Sequence, residues 1–163
     1  MELQALTASA TRLRSANIPL EFLSGSLWSV VQTSGQVKRI NPVSGATLAT
    51  INCGVDGLYG LGVGGGFIWA NGRSGVAKID PATNAVVATY RYRDLTSGQS
   101  NVFVSNGKAY ACAAQGVLVI DLLSGAADEI VLDGGGCKWA HALAGGDIVI
   151  GTYSAPWLFR LGI

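Results

Sequence analysis

The stretch Gly66–Tyr90, GFIWANGRSGVAKIDPATNAVVATY, decides how this chain folds. It reads as three short strands in succession: Phe67–Asn71, Val76–Asp80 and Ala85–Tyr90. The breaks fall at Gly72–Gly75 and at Pro81–Asn84, where glycine, proline and Asx residues turn the backbone.

The pattern recurs on both sides. GSLWSVV (Gly25–Val31), GFIWANG (Gly66–Gly72), GKAYACA (Gly107–Ala113) and GDIVIGT (Gly146–Thr152) align, with starting glycines 41, 41 and 39 residues apart. A second register is Val37–Asn41, Val76–Asp80, Val117–Asp121 and Leu158–Gly162. A third lies in the turns NPVSGA (Asn41–Ala46), DPATNA (Asp80–Ala85) and DLLSGA (Asp121–Ala126). In these turns Asn or Asp accepts backbone N–H bonds from residues just ahead, and Gly45, Asn84 or Gly125 supplies the left-handed closing residue.

Each repeat also has an apolar approach strand (Ile18–Leu23, Tyr59–Val63, Val102–Ser105, Trp139–Ala144). The first three carry a fourth strand: Leu48–Cys53, Ala85–Tyr90 and Glu129–Asp133. Four short strands per 40 residues or so is the signature of a β-propeller blade. A parallel β-helix has shorter rungs without two-sided hairpins. The expectation is all-β: a small β-propeller of four four-stranded blades in one domain. The blades span about 17–53, 58–92, 99–133 and 137–163, the last completed by an N-terminal strand at 2–8. That strand is expected because the fourth repeat ends at its third-strand position, and an open seam leaves raw edges. Two alternatives stand beside it: a tail at residues 1–16, or four blades forming half of a ring completed by a second copy. The glycines of LGVGGG (Leu61–Gly66) and the alanines Ala142 and Ala144 suit tight packing near an axis.

GGGFIWANGRSGVAKIDPATNAVVATY resembles the YVTN-type propeller repeat, which is also similar to repeats of the virginiamycin B lyase group. The likeness is close across Gly64–Tyr90, good across Gly25–Ile51 and loose in the last two repeats. It implies a propeller and says little about activity. Members usually carry about seven blades, and this chain has four repeats. The lyases use histidine with a magnesium ion.

Charged residues are 13% of the 163, against about a quarter in an ordinary soluble domain, while 49% are apolar. That balance suggests a surface covered by neighbours. Net charge is +1 and the one basic run is Arg91–Arg93, so nucleic-acid binding is not expected. No apolar run reaches membrane-spanning length, so no insertion is expected. Glu2, Arg12 and Arg14 interrupt any secretory h-region, which points to synthesis in the cytoplasm. Cys53, Cys112 and Cys137 are odd in number and widely spaced, and each reads as a buried thiol.

Propellers bind through loops at one mouth of the channel. Here those loops include Val55–Leu58, holding Asp56, and Gly72–Gly75, holding Arg73. His141, the single histidine, lies in an approach strand beside Trp139 and reads as a channel residue more readily than a catalyst. Trp28, Trp69 and Tyr110 share one repeat position and read as wedges between blades, whereas Tyr153 and Trp157 are less regular and suit an exposed contact. Asp128 and Glu129 open an outer strand and read as a solvated pair. The partner-binding set is therefore Trp139, His141, Tyr153, Trp157, Arg73 and Asp56, with no catalytic set, no metal and no cofactor. The expected function is a non-catalytic protein-interaction or structural module, with other subunits of an assembly as partners and a virion (phage tail or capsid) as the setting. A carbohydrate-binding propeller lectin, with glycans as partners, is the alternative. A lyase is the third reading.

Overall fold

The computed structural model describes residues 19–132, 136–143, 147–152 and 158–161. Its strands follow the repeat. Blade 1 is β1 (Leu20–Leu23), β2 (Ser26–Val31), β3 (Gln36–Ile40) and β4 (Thr47–Asn52). Blade 2 is β5 (Gly60–Gly64), β6 (Phe67–Gly72), β7 (Gly75–Asp80) and β8 (Ala85–Arg91). Blade 3 is β9 (Gly98–Ser105), β10 (Lys108–Ala113), β11 (Gly116–Asp121) and β12 (Ala127–Val131). Blade 4 contributes β13 (Cys137–Ala142), β14 (Ile148–Thr152) and β15 (Leu158–Leu161). Every sheet is an antiparallel meander in chain order, so the molecule is an all-β propeller of four blades. The expected strand at 2–8 lies outside the described residues.

The turns form as the sequence dictates. Asn41 Oδ1 accepts from the amides of Val43 and Ser44 at 2.8 and 3.0 Å, and Asp121 Oδ1 accepts from Leu123 and Ser124 at 3.1 and 2.8 Å. Asp80 Oδ1 does the same for Ala82 at 2.8 Å. Asn84 takes φ +56° at the position where the other two turns carry glycine.

The core lies between blades. Trp28, Val30 and Val37 of blade 1 meet Leu61, Ile68 and Ile79 of blade 2. Trp69 and Val76 meet Val102, Ala109 and Ile120 of blade 3. Tyr110, Cys112 and Val117 meet Cys137, Ala140, Ile148 and Ile150 of blade 4. The aromatic wedge at the shared position is thus buried three times over. Trp28 and Trp69 each donate Nε1–H back to an innermost-strand carbonyl, Leu23 and Gly64, both at 3.1 Å.

Two sequence expectations are corrected. Cys112 and Cys137 form a disulfide across blades 3 and 4, leaving Cys53 as the free thiol, which burial pushes up to about 12. Sequence spacing does not reveal the pair, because β10 and β13 meet only when one blade packs on the next. Of the Asp128–Glu129 pair, Asp128 is exposed as expected, whereas Glu129 is half-buried and engaged. Its carboxylate accepts the backbone N–H groups of Arg93 and Asp94 at 2.7 Å each and of Leu95 at 3.2 Å, stapling the 93–95 loop to β12.

Candidate functional site

One repeat position on the innermost strands sets the character of the axis. Register places Glu21 opposite Trp28, Gly62 opposite Trp69, Phe103 opposite Tyr110 and His141 opposite Val149. Gly62 has no side chain, and its backbone lies so close to β9 that a Cβ there would run into the Val102 carbonyl. The other three side chains line a cavity of about 440 Å³. Val63, the run Ser100–Val104 and Trp139–Ala140 complete its wall, so all four innermost strands contribute.

The wall is mainly apolar, with a few polar groups. Phe103 stacks on Tyr110 with centroids 4.7 Å apart and planes 9° from parallel. Trp139 is 42% exposed and tilts 48° against His141 at 5.7 Å. Glu21 is half-buried, and desolvation raises its carboxyl above the usual range. An aromatic wall with one acid and one imidazole suits the binding of an apolar or ring-shaped group. Among the described residues no group of three or more His, Cys, Asp or Glu side chains is placed to hold a metal ion.

The expected site residues separate. Trp139 and His141 meet at the axis. Asp56 and Arg73 meet in a loop cluster away from the lining: the Arg73 amide donates to the Asp56 carbonyl at 2.6 Å and its guanidinium to the Tyr59 hydroxyl at 2.8 Å. Arg91 braces the same cluster through Ser74 Oγ at 2.8 Å and the Gly54 carbonyl at 2.6 Å. Tyr153 and Trp157 lie outside the described residues. The sequence reading missed Glu21 and Phe103. The 41-residue spacing links Glu21, Gly62 and Phe103, but His141 follows Phe103 by only 38 residues, so the sequence repeat alone does not align it with them and the strand register does.

Solved structures place this geometry among propellers. The chain superposes on the computationally designed Ika4 protein with a TM-score of 0.76 and 14% identity, covering 100% of this chain and 99% of that one. It also superposes on the beta-propeller domain of Cps50 (Swd1) from Myceliophteria thermophila (TM-score 0.68, 13% identity, 86% of this chain and 50% of that one). The WD40 beta propeller domain of Doa1 gives a TM-score of 0.69 and 18% identity over 86% of this chain and 48% of that one. The chain therefore spans about half the length of these last two. No protein-family model and no curated sequence matches it. At such identities the likeness establishes the fold.

Proposed function

We propose that this chain is a non-catalytic propeller of the YVTN type that serves as a protein-interaction or structural module. The observation that carries the reading is its exposed apolar rim. Val43 and Leu123 occupy matching places in two of the Asx turns and are 87% and 98% exposed. Leu48, Val87 and Val131 are exposed on the outermost strands β4, β8 and β12. Large apolar side chains at repeating surface positions, on a chain with few charges, fit a protein whose neighbours cover it. A particle such as a phage tail or capsid is the setting such a surface suits. The test is a photocrosslinker in place of Leu123, and separately Val43, in the natural host. One discrete protein adduct common to both positions supports the module, and the absence of adducts at both overturns it.

A carbohydrate-binding propeller is a second reading, favoured by the exposed Trp139 ring beside His141. Titration of tryptophan emission with oligosaccharides tests it. Trp28 and Trp69 are buried, so a response that survives Trp139→Phe counts against this platform. A lyase reading rests on His141 alone, and turnover unchanged by His141→Ala removes it.

A further inference from the structure

Blade 1 exposes a face that every later blade buries. The innermost-strand positions equivalent to Leu20 are Leu61, Val102 and Ala140, each buried against the blade before it. Leu20 is 49% exposed. Phe22, equivalent to the partly buried Val63 and Val104, is 59% exposed. Leu27 and Ile40 are half-buried where Ile68 and Ile79 of blade 2, and Ala109 and Ile120 of blade 3, are sealed. At the far end of the arc Trp139, His141 and Leu143 are exposed, and Val149 is half-buried where Trp28, Trp69 and Tyr110 are buried.

Among the described residues these two faces do not pack on each other as the internal blade faces do. The innermost strands pack in succession, β1 on β5, β5 on β9 and β9 on β13, and β13 makes no comparable contact with β1. Four blades that close alone turn about 90° each, whereas four blades forming half of a ring turn about half as much. The superposition on about half of each natural propeller describes the second kind of arc.

We infer that a second copy of this chain completes the ring. The Trp139–Leu143 face of one protomer packs on the partner subunit's Leu20 and Phe22, and the same contact repeats on the other side of a two-fold axis. A head-to-tail contact that closes after two steps satisfies both end faces with one kind of interface. Each seam then reproduces an internal blade junction. This inference goes beyond the module proposed above, since it concerns the end faces and not the rim.

Sedimentation velocity and native mass spectrometry of the full chain at micromolar concentration test it. The expected species is a dimer. Leu20→Asp with Phe22→Asp on one face, or Trp139→Asp with Leu143→Asp on the other, should weaken dimerisation at least about 100-fold. Circular dichroism and continued protection of the Cys53 thiol check that each variant folds. Mixing the two variants leaves one intact seam and should restore a heterodimer, which a contact between like faces cannot do. A wild-type monomer, open chains longer than two, or no heterodimer on mixing overturns the inference. A monomer in which Leu20 and Phe22 resist carbene labelling would assign their cover to residues 1–18 and overturn it equally. Rim crosslinks at Leu123 lost while the dimer persists would remove the module reading and leave this one standing.

Discussion

Tyr92 donates its hydroxyl hydrogen to Oδ1 of Asn71 at 2.5 Å, just beyond the outermost strand of blade 2. Asn71 is fully buried at the end of β6 and gives its amide hydrogens to blade 3, to the Ser100 carbonyl at 3.0 Å and the Cys112 carbonyl at 2.8 Å. One side chain thus fixes the register of two blades. Removing it takes this partner from the buried Cys112 carbonyl, the half-buried Ser100 carbonyl and the Tyr92 hydroxyl. Asn71→Ala should cost about 3 kcal/mol or more, and Tyr92→Phe about 1–2 kcal/mol. Urea unfolding of the single and double variants measures both, and additive losses would show that the two do not act as a unit.

Tyr110 is expected to behave in the opposite way. At its repeat position Trp28 and Trp69 find carbonyl partners, but the Tyr110 hydroxyl is buried without one. Burial raises this phenol's pKa and makes its oxygen a cost. Tyr110→Phe keeps the stacking on Phe103 and should be neutral or stabilise by up to about 1 kcal/mol. A loss of that size in thermal unfolding would mean the hydroxyl has a partner.

Gly62 carries a steric argument free of backbone strain, since its φ is not in the left-handed region. Its missing Cβ lets β5 touch β9. Gly62→Ala gains local propensity, yet forces two blades apart along the axis, and should cost about 2–3 kcal/mol. A neutral result in chemical denaturation would show that the blades relax freely.

Local chemistry was readable in the sequence, and contacts between blades were not. Asn41, Asp80 and Asp121 announce their turns because each accepts from amides two or three residues ahead. The shared position of Trp28, Trp69 and Tyr110 announces a wedge, since only a structural role repeats so regularly. Glu129 binds amides at 93–95, more than 30 positions back in the chain, and resembles any exposed acid until the blade is built. Cys112 and Cys137 lie on different blades, so spacing does not pair them. Ring closure is the least legible question, because four repeats look alike whether they close alone or form half of a ring.

The Cys112–Cys137 bond closes a loop of 25 residues between blades 3 and 4. Loop-closure entropy for that length is about 3.5 kcal/mol, and measured gains usually fall near or below such values. Cys112→Ala with Cys137→Ala should therefore destabilise by about 2–4 kcal/mol, and reductant should lower Tm in the wild type only. Cys53, buried and with its thiol held protonated, should stay unreactive towards alkylating agents until unfolding. Free-thiol counting on the denatured chain, without reductant, should find one thiol. Three would show that the bond does not form.

Glu129 and Glu21 should make opposite contributions to the pH dependence of stability. Burial pushes the Glu129 carboxyl up, but the amides of Arg93, Asp94 and Leu95 and the charge of Arg93 outweigh it, so its pKa falls below 4.5. A depressed carboxylate stabilises the fold above its unfolded pKa, and this contribution is lost as pH falls through the folded value. Glu129→Gln should thus cost about 1 kcal/mol at neutral pH, where an amide cannot accept all three N–H bonds as a carboxylate does. The gap to wild type should narrow below about pH 4.5 and close once Glu129 itself is protonated. For Glu21 desolvation raises the folded pKa, so its carboxylate penalises the fold at neutral pH and the penalty lifts as pH falls. Glu21→Gln should therefore stabilise at pH 7 and be nearly silent in acid. Urea titrations of both variants from pH 7 to pH 3 separate the cases, and a Glu129→Gln deficit that persists at the acid end would mean that its side chain acts through packing and not through charge.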